Sequence, residues 1–123
     1  MTRPVVLVLP LPPNLANGRQ HWRVKLAAKQ RYYDAARLAL LAQTGPVRTM
    51  EPPRVVRVVL TLYLHQEMDH DNAVARCKWL LDSLVGHGLL YADSPRWCEL
   101  FMPGQVIDRK AQRVEITLTE VGP

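Results

Sequence analysis

The chain predicts a small single-domain α/β (α+β) fold, a mixed β-sheet with two main helices, and three observations carry that prediction. Short β-branched apolar runs alternate with longer stretches of helical periodicity, Pro and Gly clusters mark the boundaries, and 123 residues suffice for one core but leave little room for a second. The elements read in the order β-α-β-α-β-β across a single domain spanning residues 1–123.

The opening strand is Val5-Val6-Leu7-Val8-Leu9, closed by Pro10, Pro12 and Pro13, which lack the N–H a ladder needs and force an extended exit. A loop from Asn14 to Arg23 follows, with the turn pair Asn17-Gly18, the cations Arg19 and Arg23, His21 and Trp22. It reads equally as a solvated loop anchored by its tryptophan and as an arm that contacts phosphate. From Val24 to Gln43 the chain is rich in Ala, Leu, Lys, Arg and Gln, and Leu26, Tyr33, Ala36 and Leu40 line one face of a long amphipathic helix that Gly45 and Pro46 end. Residues 54–65, strongly β-branched and partly alternating, predict a strand with one well-buried face. Residues 72–85 predict the second helix, with Val74, Cys77, Leu81 and Leu84 inward, Asp71 as N-cap, and Gly86 and Gly88 as its stop. A turn at Asp93-Ser94-Pro95, a strand near Arg96 to Met102, a turn at Pro103-Gly104 and a strand alternating through Val114, Ile116 and Leu118 complete the chain.

Lys and Arg total 16 against 11 acidic residues, a formal charge of +5, so a polyanion such as nucleic acid is the first partner to consider. No apolar run approaches the ~20 residues that span a bilayer, and the N-terminus does not read as a secretion signal. The expectation is a cytoplasmic protein with no membrane partner. Cys77 and Cys98 belong to no C-x-x-C pair and lie in apolar stretches, as buried thiols do. Phosphate-loop and dinucleotide motifs are absent, so no nucleotide cofactor is expected, and Ser83 and Ser94 lack the G-x-S-x-G setting of a serine nucleophile.

The run Met68-Asp69-His70-Asp71-Asn72, between a strand and a helix, reads as a divalent-metal site. Carboxylates gathered in a basic protein repel one another unless a cation neutralises them, and Mg2+ selects oxygen ligands of this kind. Asp-x-Asp at a strand end also serves as ordinary turn chemistry. Were Asp69 and Asp71 both in extended chain, their side chains would project to one side and share an ion, with His70 turned away. Lys78 and Asp82 fall on the same helical flank as Asp71, so Lys78 would steady a phosphate or simply pair with Asp82. Asp93, beyond a Gly-bounded turn, is placed to supply a third carboxylate or to open its own turn. Three carboxylates, a metal and a lysine in a basic protein are the ingredients of metal-assisted phosphodiester hydrolysis.

These residues resemble the RusA-like Holliday junction resolvases, small endodeoxyribonucleases of bacteria and their prophages, over almost the whole chain. The matching parts are Leu9-Pro10-Leu11-Pro12-Pro13-Asn14, Asp69-His70-Asp71-Asn72, Lys78-Trp79-Leu80-Leu81-Asp82-Ser83-Leu84, Gly88-Leu89-Leu90-Tyr91-Ala92-Asp93 and the closing Val114-Glu115-Ile116-Thr117-Leu118-Thr119-Glu120. The resemblance implies a homodimer that binds four-way DNA and nicks it symmetrically with Mg2+ or Mn2+, in recombination and repair. It implies metal binding and catalysis by Asp69, Asp71 and Asp93, and a supporting helix lysine. Arg19, Arg23, Lys25 and Arg76, with Arg96 in reserve, would hold DNA. Two positions depart from the family pattern: Ala75 stands where the lysine is usual, with Lys78 nearly one turn further on, and Ala92 replaces a frequent acidic residue. The lysine shift makes Arg76 a candidate substitute and leaves a second expectation, a branched-DNA-binding protein of the same fold with weak or lost nuclease activity.

Overall fold

A computed structural model of the chain describes residues 3–14 and 22–121. The elements are β1 (Val5–Leu9), α1 (Trp22–Thr44), β2 (Val55–Leu64), α2 (His70–Arg76), α3 (Lys78–Gly86), β3 (Cys98–Leu100), β4 (Gly104–Ile107) and β5 (Arg113–Val121). The strands form one sheet in the order β1-β5-β2-β3, with β4 also pairing with β2. β5 runs antiparallel between β1 and β2, whereas β3 and β4 run parallel to β2, so the sheet is mixed as the sequence predicts. Each parallel relation requires a crossover, and the helices supply it.

All helical packing falls on one face. Strand alternation sends Leu7 and Leu9, Val56 to Leu64 at every second position, and Val114, Ile116 and Leu118 into a core that Tyr32, Ala36 and Leu40 of α1 and Leu80, Leu81 and Leu84 of α3 complete. Pro10 accepts a hydrogen bond from the Tyr32 hydroxyl at 2.9 Å through its carbonyl, tying the extended exit of β1 to α1.

Four local readings change. α1 buries the Tyr32, Ala36 and Leu40 face, and Leu26, in its first turns, is 58% exposed. The second predicted helix begins at His70 and breaks at Cys77, whose amide bonds the Val74 carbonyl one residue short of α-helical spacing; Val74 is thereby left 39% exposed. β4, which the Pro103-Gly104 turn signal hid, is a separate strand beside β2. The N-cap of α2 is Asp69, not Asp71.

The stop of α3 is as the glycines predict. Gly88, at φ +80, lets its own amide reach the Val85 carbonyl and the Leu89 amide reach the Leu84 carbonyl, both at 3.0 Å, which closes the helix with a left-handed residue. Cys77 and Cys98 are free and buried.

Candidate functional site

β2 delivers the acidic run. Past Leu64 the chain leaves the sheet, and Gln105 on β4 grips the backbone just before Asp69: its Oε1 accepts from the Met68 amide at 2.8 Å and its Nε2 donates to the Met68 carbonyl at 3.0 Å. The side-chain amide replaces a missing ladder rung and fixes where α2 starts. Nothing in the sequence marked Gln105 for this, because its role exists only once β4 lies beside β2.

Asp69 caps α2 in extended conformation, with φ −63 and ψ 148, and its backbone carbonyl accepts from the Ala73 amide at 2.9 Å. Its carboxylate makes no capping hydrogen bond. Asp71 lies in the first turn and accepts from the Asn72 amide at 3.1 Å. Both side chains are exposed, and neither forms an ion pair among the described residues. His70 opens the helix, so the two aspartates do not share an extended stretch, and the alternation that placed them on one side does not apply.

Beside this junction lies a cleft of about 400 Å3, lined by Asn14 from the exit of β1, by Glu67 and Asp69, by Asn72 and Arg76 of α2, and by Gln112 before β5. It opens at the carboxyl end of β2, the edge at which parallel strands commonly present their ligand sites. Asp71 is not part of its lining. Arg76 is half-buried and donates through Nε to the Pro12 carbonyl at 2.5 Å and through Nη1 to the Met68 sulfur at 3.4 Å. Burial lowers its pKa from the ordinary arginine value.

Lys78 is committed elsewhere. Its Nζ lies 2.7 Å from Asp93 Oδ2 and 3.5 Å from Asp82 Oδ1, and Asp82 Oδ2 accepts the Tyr33 hydroxyl at 3.1 Å. The hydrogen bond to Asp93 raises the Lys78 pKa, and the same bond lowers that of Asp93. Burial, with the bond to Asp82, pushes the Tyr33 phenol up to about 12. The predicted Lys78 to Asp82 pair is present, and its dominant partner is Asp93.

Among the described residues no three His, Cys, Asp or Glu side chains form a group that could hold a metal ion. Asp93 is not grouped with Asp69 and Asp71 and pairs with Lys78 at 2.7 Å. The donor chemistry of Asp69 and Asp71, exposed carboxylates with no cation among the described residues, fits a hard ion.

Neither protein-family models nor curated proteins match this chain.

Of the predicted DNA contacts, Arg19 lies outside the described residues. Arg23 and Lys25 are exposed in the first turn of α1, with Arg23 stacked 5.2 Å from the Trp22 ring centroid. Arg96 is exposed and stacks on Trp97 at 5.0 Å, and Arg76 alone of these cations lines the cleft. No helix among the described residues is long and apolar enough to cross a membrane.

Proposed function

We propose that the chain is a metal-dependent endodeoxyribonuclease acting on four-way or other branched DNA, in a cytoplasmic setting and as a homodimer. The single observation that carries this reading is the pair of exposed carboxylates, Asp69 and Asp71, unpaired with any cation among the described residues, at the strand-to-helix junction beside an arginine-bearing cleft in a protein of charge +5. Asp69 and Asp71 would hold Mg2+ or Mn2+, which when bound would polarise a phosphodiester and make water a better nucleophile. Gln105 and the Asp69 backbone hold the main chain that bears the carboxylates at the end of β2. Cations exposed on α1 would hold backbone phosphates, so affinity should fall steeply with salt. A two-fold junction calls for two cutting sites, which a symmetric dimer supplies.

The test incubates the purified chain with a synthetic four-way junction and Mg2+. Paired symmetric nicks that disappear in Asp71→Asn are expected; undiminished cutting by that variant would refute the site assignment. A second reading, branched-DNA binding with weak or lost turnover, is favoured by the capture of Asp93 by Lys78 at 2.7 Å. It predicts tight junction binding in EDTA and no cutting with any divalent ion.

A further inference from the structure

Arg76 is a partly buried cation whose hydrogen-bonding capacity the described residues do not use up. Its Nε is spent on Pro12 and one Nη1 proton on the sulfur of Met68, a weak acceptor. Both N–H groups of Nη2 and the second of Nη1 have no protein acceptor among the described residues, and no carboxylate pairs with the guanidinium. Arg113 shows the contrast: there, Asp108 at 3.1 Å, Glu115 at 3.5 Å and the Ala111 carbonyl at 2.7 Å satisfy the guanidinium. An unpaired charge drawn partly out of water binds an anion more strongly than one on the open surface, because less hydration is surrendered on binding.

The two fixed contacts hold the guanidinium plane at the cleft wall, and the lining offers neutral amides from Asn14, Asn72 and Gln112. Glu67 and Asp69 share the cleft and would repel a bare anion. The ligand that suits both signs is an anion able to share a divalent cation held at Asp69, and a phosphodiester is such a group. Lys78, the obvious phosphate contact from the sequence, is already neutralised by Asp93 and Asp82.

We propose that Arg76 is the phosphate-holding residue of the cleft, presenting its free N–H fork to the non-bridging oxygens of a nucleic-acid phosphodiester, and that Lys78 holds Asp93 and not the substrate. The identity of the ligand rests on the nuclease reading; the presence of an anion site does not.

The experiment uses the full chain and two fluorescein-labelled probes, a four-way DNA junction and a short oligothymidylate, with anisotropy read over a salt titration in Ca2+. Arg76→Gln should weaken binding of both about tenfold or more and flatten the logarithmic salt dependence by roughly the ~0.7–0.9 expected for one phosphate. Arg76→Lys should fall between, and Lys78→Met should stay within about twofold of wild type. Wild-type affinity and slope in Arg76→Gln would overturn the proposal. Because Arg76 also tethers Pro12, phenylglyoxal modification of the unmutated chain gives a second measure: oligothymidylate should shield Arg76 and leave Arg57 as reactive as before, and equal reactivity of Arg76 with and without it overturns the proposal. Junction cutting that Asp71→Asn abolishes but Arg76→Gln leaves intact, with unchanged binding, defeats this proposal alone. Shielding of Arg76 in a chain that cuts no DNA supports the anion site and defeats the nuclease reading alone.

Discussion

Gly88→Ala should be among the most damaging single-methyl additions in the described chain. At φ +80 an L side chain costs about 1–2 kcal/mol in backbone strain alone. The new Cβ would also fall 1.8 Å from the Arg48 carbonyl oxygen and 2.6 Å from its carbon, both rigid backbone atoms. Relieving that overlap means moving the segment after α1 away from the end of α3, which strains the Arg48 amide to His87 carbonyl bond at 3.2 Å and adds about 1 kcal/mol. The sum is about 2–3 kcal/mol, or roughly a 10 °C fall in Tm for a domain of this size. Differential scanning calorimetry and urea titration measure it. Gly86→Ala is the internal control, since its Cβ would meet nothing within 4 Å and its site is helical; it should be neutral or stabilise by about 0.5–1 kcal/mol. A Gly88→Ala protein melting within about 2 °C of wild type would refute the claim that this turn requires glycine.

Lys78→Met should cost less than about 1 kcal/mol, because the lysine is 61% exposed and its ion pairs are screened by water. Carbon-detected NMR titration should nonetheless show the Asp93 pKa rising toward the ordinary carboxylate value. Because Lys78 depresses that pKa in the folded state, the pair's small contribution to stability is present above the unfolded carboxylate pKa and is lost as pH falls through the folded one. Gln105→Leu removes both hydrogen bonds to Met68 and should destabilise by about 1–3 kcal/mol, with faster amide exchange at Met68; unchanged exchange there would rule out the clamp. Burial pushes the Cys77 thiol up to about 11, so a thiol reagent at neutral pH should label it only as fast as the core opens, and prompt labelling of native protein would contradict the packing.

The strands β1, β2 and β5 were legible because each shows its buried alternation locally, and the stop at Gly88 because a left-handed residue has a residue-type signature. The break in the second helix was not, because the Cys77 amide turns to the Val74 carbonyl at a point where the apolar spacing continues without interruption. β4 escaped for a related reason: four residues opening on a glycine carry no strand periodicity and become a strand only by pairing with β2.

The candidate site divides the same way. The residue types and their order along the chain by themselves determined that carboxylates meet the start of a helix after a buried strand, that the protein is basic, and that two thiols belong to the core. Only the tertiary structure decided which charges are spent on one another. It brought Asp93 to Lys78 across the turn after α3, left Asp69 and Asp71 without a cation among the described residues, and set Arg76 in a cleft with donors that no described residue takes up. Ion pairing depends on a few ångströms through space, and positions fifteen residues apart acquire that distance only when the chain between them has folded.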